Sequence, residues 1–254
     1  MIIDTHAHYD DEAFDEDRDI LLKEMSKNGI GLIVNMGASL RGCRDTIALT
    51  EQYDFIYGGI GVHPSDTAEL DEDSFQWLKE KLGQPKIVAV GEIGLDYHYP
   101  EPSVQVQKQW FERQLELARE VKLPVVIHSR EAAKDTLDMM QALRAEEIGG
   151  VIHCFSYGVE MAREYVNMGF YIGVGGVITF KNGKKLKEVV EYLPLDRIVL
   201  ETDCPYLSPE PNRGKRNSSL NLPYVVDEIA RIKGISQEEV ISVTEENARK
   251  LYRL

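Results

Sequence analysis

Two histidines stand two residues apart at the start of the chain, in Asp4-Thr5-His6-Ala7-His8. Further downstream, His63, Glu92, His128, His153, Glu201 and Asp203 each sit in a short motif of their own. On a strand, residues i and i+2 point to the same side, so His6 and His8 can reach one cation. Mixed imidazole and carboxylate donors suit zinc or manganese, and the carboxylates admit magnesium as well. Two such ions roughly 3.5–4 Å apart can activate a water and clamp the attacking and leaving oxygens of a hydrolysis.

These residues need elements to bring them together. Short apolar, β-branched segments predict strands over Ile2–His6, Leu32–Met36, Ile56–Val62, Ile87–Glu92, Val125–His128, Gly150–Phe155, Tyr171–Val174 and Ile198–Glu201. Amphipathic patterns between them predict helices over Asp19–Asn28, Arg41–Tyr53, Ser74–Leu82, Val104–Val121, Ala132–Leu143, Val159–Met168 and Lys184–Tyr192, then Leu222–Lys233 and Gln237–Leu254. Strands alternating with helices imply a parallel sheet with covering helices. Eight such units in a chain of 254 residues point to one α/β domain over 1–254, a closed (β/α)8 TIM barrel. Five of the six histidines then fall at the C-terminal ends of strands, the active-site face of that fold.

Strand order assigns the residues to positions. Asp203, after the last strand, comes to lie beside the first strand on closure and completes a site with His6 and His8. His128 and His153 end consecutive strands and form a second site, and Glu92 between them can bridge the two. The expected ligands are therefore His6, His8, Glu92, His128, His153 and Asp203, with Asp203 also placed to accept a proton as general base. Asp4 is expected to orient an imidazole. Glu201, one layer deeper, is expected to orient a ligand or balance a buried charge. His63 has no obvious ligand partner and is read as a substrate contact, while His98 packs a loop. Alternation turns Cys154 and Cys204 away from the ligands beside them, as small packed thiols.

Bulk properties narrow the roles. The net charge of −14 disfavours a general coat-binding role on nucleic acid. Seven acids and one arginine between Asp10 and Asp19 lack the calcium-loop pattern and read as a solvated face. The glycines at 58–61 and 173–176 match no nucleotide-binding loop and suit close packing. Three scattered cysteines support neither a disulfide framework nor a zinc ribbon. No apolar run reaches the roughly 18 residues of a membrane span, and Met1-Ile2-Ile3-Asp4 is no secretory leader, so a cytoplasmic protein without membrane contact is expected.

Taken together the motifs resemble the TatD family of metal-dependent deoxyribonucleases, within the amidohydrolase-like superfamily. Asp4–His8, Gly61–Pro64, Gly91–Tyr97, Pro124–Arg130, Ile152–Ser156 and Glu201–Leu207 carry the resemblance across the whole chain. Two places depart from the family pattern: Tyr157 precedes Gly158, and Asn221-Leu222-Pro223 follows the Arg213–Arg216 segment. The resemblance implies the same six metal ligands. It also implies two divalent ions and phosphodiester hydrolysis, often as a magnesium-dependent 3′ to 5′ exonuclease, with single-stranded DNA ends as partner. Arg213 and Arg130 are the expected phosphate contacts, since guanidinium binds phosphate in bidentate fashion. A monomer or weak oligomer is expected. Two other readings use the same residues: a metallohydrolase of a small amide, lactone or phosphoester, and a metal-stabilised scaffold without catalysis.

Overall fold

The computed structural model describes residues 1–254. Eight parallel strands follow one another around the sheet in chain order: β1 (Ile2–Ala7), β2 (Ile30–Gly37), β3 (Ile56–Ile60), β4 (Ile87–Asp96), β5 (Val125–Arg130), β6 (Gly150–Ile152), β7 (Tyr171–Val174) and β8 (Ile198–Leu200). The circle closes just beyond β8, where Asp203 N–H donates to His6 O at 2.9 Å and His8 N–H donates to Cys204 O at 2.8 Å. The result is the expected (β/α)8 barrel.

Helices α1 (Arg18–Lys23), α2 (Leu40–Gln52), α3 (Glu72–Lys81), α4 (Val104–Val121), α5 (Ala133–Ala142), α6 (Val159–Asn167), α7 (Lys184–Tyr192), α8 (Leu222–Lys233) and α9 (Gln237–Tyr252) cover it. Their ends follow local chemistry. Ser39 caps α2 by accepting from Gly42 N–H, and Asp71 and Ser74 cap α3 reciprocally. α4 turns Trp110, Phe111, Leu115 and Ala118 onto the sheet and ends at Lys122 in the left-handed region.

Two cores result. A cluster of 53 buried residues fills the layer between strands and helices. A smaller cluster of 12 gathers Ile3, Leu32, Val88, Val126, Val151 and Val199 from early strand positions, with Leu251 and Tyr252 of α9 packed against them. α9 thus plugs the N-terminal end of the barrel, and Tyr252 Oη–H donates to Thr5 O at 2.8 Å. The opposite end stays open.

Two boundaries differ from the sequence reading in ways that matter. The helix expected to run to Asn28 ends at Lys23, because the next amides bond three residues back and tighten into a 3-10 turn over Ser26–Asn28. β4 runs on to Asp96, because Ile93–Asp96 pair with Ile127–Arg130 of β5. That extension depends on Gly94, with φ +145°, where a Cβ would stand 1.9 Å from His128 O.

Asp4 corrects an expectation. Its carboxylate meets only the backbone N–H of His6, at 3.3 Å, and no imidazole. It accepts instead from Thr202 N–H at 3.0 Å, Thr202 Oγ1–H at 2.7 Å and Ser219 Oγ–H at 2.6 Å. β1 is irregular between Asp4 and Ala7, so simple alternation does not carry the Asp4 side chain to the histidines. Asp4 is a clasp across the barrel seam. Asp4→Ala should lower the unfolding free energy by about 3 kcal/mol, since it removes three buried, charge-assisted hydrogen bonds from Thr202 and Ser219; urea unfolding of the metal-free protein measures this.

Candidate metal centre

Glu92, in the middle of β4, is 3% exposed and lies within 3.7 Å of five imidazoles. Its two oxygens face different partners. Oε2 is 3.4 Å from His6 Nε2 and 3.7 Å from His8 Nε2. Oε1 is 2.7 Å from His153 Nε2, 2.8 Å from His128 Nδ1 and 3.6 Å from His63 Nε2. On the first side, Asp203 Oδ1 joins the pair at 3.6 Å from His6 Nε2 and 3.3 Å from His8 Nε2.

The donor set fits a cation. His8 Nδ1 faces the carbonyl of Met36 at 2.7 Å and must carry the hydrogen there, so the Nε2 of a neutral His8 presents a lone pair. That lone pair faces His6 Nε2 at 3.0 Å, with carboxylate oxygens around both. Lone pairs converge at separations of about 3 Å, the spacing of ligands that each sit about 2 Å from one ion. His6, His8 and Asp203 form one such group, and His63, Glu92 and His128 form another.

The expected ligands therefore meet in one place, on either side of Glu92. His63 stands closer to them than its sequence context suggested: its ring lies 4.3 Å from that of His128, and its Nδ1 accepts from Ser65 N–H. Asp96 is the residue that sequence reading missed. Its Oδ2 lies 3.1 Å from His128 Nε2, which leaves Nδ1 aimed at Glu92. Its position four residues after Glu92 on one strand, hence on the same face, was the available signal.

The surrounding cleft, of about 840 Å³, opens at the C-terminal mouth. Arg130 lines it, but Arg213 does not. Arg213 lies over the Phe180 ring at 4.2 Å and pairs with Glu210 at 3.9 Å. Arg216 is held by both oxygens of Asp17 at 2.6 and 2.8 Å. The arginine segment after β8 thus leans on its own loop neighbours, and Arg213 stands outside the cleft wall. Cys154 corrects its sequence reading. It has φ +44°, so the chain has left the strand and alternation no longer applies; the residue faces the cleft. Burial and the nearby acids hold its thiol well above the ordinary range, so it stays protonated. Cys204 is buried as expected, and His98 pairs with Glu131 at 2.8 Å on an exposed loop.

Charge in the cluster is tightly balanced. Burial alone would raise the Glu92 carboxyl, but His153, His63 and His128 hold it well below its usual value. Burial alone would lower His8, yet Asp203 and Glu92 push it up to about 10. His128 is likewise opposed by burial and pushed up to about 9 by Asp96 and Glu92. Burial drives His6 down to about 4. The carboxylates thus favour the protonated forms of His8, His128 and His153 over what burial alone would allow.

A cluster of imidazoles and carboxylates at the C-terminal mouth of a (β/α)8 barrel is the hallmark of the metal-dependent hydrolases. Comparison with known proteins agrees. The model of the family described as TatD related DNase matches residues 3–253. The chain is 42% identical over 254 residues to the uncharacterized metal-dependent hydrolase YabD of Bacillus subtilis, covering 100% of both. It is 30% identical over 257 residues to the 3′-5′ ssDNA/RNA exonuclease TatD of Cronobacter sakazakii, covering 99% of this chain and 97% of that one. The solved structure of the TatD homologue YjjV of Escherichia coli superposes with a TM-score of 0.94 at 30% identity, covering 100% of this chain and 98% of that one. The chain belongs to the TatD family of metal-dependent hydrolases. No helix is long and apolar enough to cross a membrane.

Ligation requires neutral imidazoles, so loading with a divalent ion must expel the protons on His8 and His128. Affinity should rise with pH from 6 toward 9, by about tenfold per pH unit for each proton released. Calorimetric titration with manganese in buffers of different ionisation enthalpy counts the protons, and a pH-independent affinity would refute the linkage.

Proposed function

We propose that this protein hydrolyses phosphodiester bonds at single-stranded DNA ends, as a 3′ to 5′ exonuclease, with two divalent ions held on either side of Glu92. Residues His6, His8 and Asp203 would hold one ion in this reading and His128 and His153 the other, with Glu92 between them. The ions supply Lewis acidity and lower the pKa of water toward neutrality. The remaining work falls to side chains of the cleft. Asp203, 18% exposed at its side chain against 4% for Glu92, is the carboxylate that solvent reaches, so it takes the proton of the attacking water at Oδ1. Arg130 lines the same cleft and binds the phosphate; His63 contacts the substrate beside His128.

The observation that carries the substrate class is the cleft wall. Tyr99 and Tyr206 are 54% and 55% exposed, and both line the cleft. Tyr206 is steadied by its bond to Asp11 at 3.0 Å, and Tyr99 lies under the Arg130 guanidinium at 5.7 Å. Exposed aromatic faces beside a phosphate-cleaving centre suit unpaired bases, which stack on them whatever their sequence. The relative named as a 3′-5′ ssDNA/RNA exonuclease supports the same reading.

One observation favours the small-ester alternative. Arg130 is the only lysine or arginine of the cleft wall, and Asp10, Asp11 and Asp66 share it. A long polyanion finds little to hold there. An end-acting nuclease meets that constraint, since only the terminal nucleotides need enter.

Activity on single-stranded DNA, double-stranded DNA and small phosphoesters, measured across magnesium, manganese and zinc, separates the readings. Single-stranded ends should be degraded fastest, and chelator should abolish the activity. Glu92→Ala should lose about 4 kcal/mol of transition-state stabilisation, or roughly a thousandfold in rate. Turnover of small esters with no action on any nucleic acid would overturn the nuclease assignment. Tyr99→Ala and Tyr206→Ala should each raise KM on single-stranded DNA about tenfold, the value of one stacked base, while leaving abasic oligonucleotides unaffected.

A further inference from the structure

An imidazole that binds a metal through one nitrogen is oriented by what the other nitrogen bonds. That account closes for two histidines of the cluster: His8 Nδ1 has Met36 O, and His128 Nε2 has Asp96 Oδ2. It stays open for the other two. His6 Nδ1 and His153 Nδ1 are buried without a partner. The same is true of Glu201 Oε2, and the only other buried side-chain atom left alone in the chain is Tyr165 Oη.

The three residues that carry these lone atoms sit together. His6, His153 and Glu201 form a fully buried group whose donor atoms lie within 4.8 Å of one another. The two rings are stacked at 4.0 Å between centroids and 7° between planes. Both Nε2 atoms face Glu92, so both Nδ1 atoms lie on the opposite edge of the stack. We propose that Glu201 is a positioning residue shared by both cation positions, with Oε2 the common acceptor for the Nδ1–H groups of His6 and His153. His6 groups with His8 and Asp203, whereas His153 lies with His128 against the other oxygen of Glu92. Glu92 therefore ties the two positions on one edge of the imidazole stack and Glu201 ties them on the other.

The surroundings leave Glu201 this orientation and little else. Its Oε1 accepts from Cys154 N–H at 2.5 Å, so Oε2 is the oxygen that remains. Its carboxylate occupies the space over Gly173 of β7, where a Cβ would stand 2.3 Å from Oε2. The left-handed turn at Cys154 aims the backbone amide at the carboxylate.

The isosteric change Glu201→Gln isolates the acceptor. An amide must keep its oxygen toward Cys154 N–H, so it presents NH2 to two N–H groups and cannot serve them. In calorimetric titration with manganese, Glu201→Gln should weaken both binding events, by about ten- to a hundredfold each. Asp96→Asn, whose carboxylate meets the ring of His128 and of no other histidine in the cluster, should weaken one. A Glu201→Gln protein that binds both ions as the wild type does, or loses affinity for only one, would overturn the proposal. The wild type gives a second test that no variant can confound. In 15N-histidine NMR of the zinc-loaded protein, His6 and His153 should both be Nδ1–H tautomers with slowly exchanging protons. An Nε2–H tautomer at either histidine would exclude Oε2 as their common acceptor.

Discussion

A buried carboxylate surrounded by imidazoles is the constraint around which this barrel is arranged. Glu92 is buried, and an isolated carboxylate there would be strongly destabilised. Five histidines from four other segments supply the compensating charge and lone pairs: His6 and His8 from β1, and one each from β3, β5 and β6 or the turns after them. Only a closed parallel barrel brings that many strand ends to one point. The α9 plug and the Asp4 clasp act at the other end and at the seam of that closure, so they hold the geometry of a site whose imidazole rings they do not touch.

Orientation is the second layer of the design. The cluster does not rely on rotamer preference to aim its rings. Backbone and carboxylate acceptors behind the rings choose the nitrogen that faces inward: Met36 O for His8 and Asp96 for His128. The choice is not uniform, since His8 offers Nε2 and His128 offers Nδ1. Burial pushes the Glu201 carboxyl up to about 8, which marks how strongly its pocket disfavours an unpartnered charge. The imidazoles and carboxylates of the cluster compensate one another's burial.

The cleft above combines the same economy of charge with exposed aromatic surface. Three of the eight large apolar or aromatic side chains exposed on the protein, Tyr99, Tyr206 and Leu207, line this one cleft. Arginines that could have extended a basic track instead stabilise loops, Arg216 on Asp17 and Arg213 over Phe180. Such a cleft offers a ligand shape and aromatic surface more than long-range attraction, in keeping with a chain of net charge −14.

The sequence alone determined the barrel and the meeting of its histidines and acids. Hydrophobic period and strand order are local and sequential properties, and a parallel barrel maps them directly onto space: motifs at successive strand ends must become neighbours around one mouth. Val104–Val121, Lys184–Tyr192 and Leu222–Lys233 form helices with the bounds their patterns imply. What the tertiary structure decided lies where alternation breaks or side chains compete for partners. The irregularity of β1 took Asp4 away from the imidazoles, and the left-handed residue at position 154 turned a cysteine into the cleft. Pairing with β5 lengthened β4 far enough for Asp96 to reach His128. Arg213 looked free in sequence because the Phe180 ring and the Glu210 carboxylate that hold it are apparent only once the loops are folded. Which nitrogen each histidine offers was beyond the sequence for the same reason, since it depends on acceptors from segments distant in the chain.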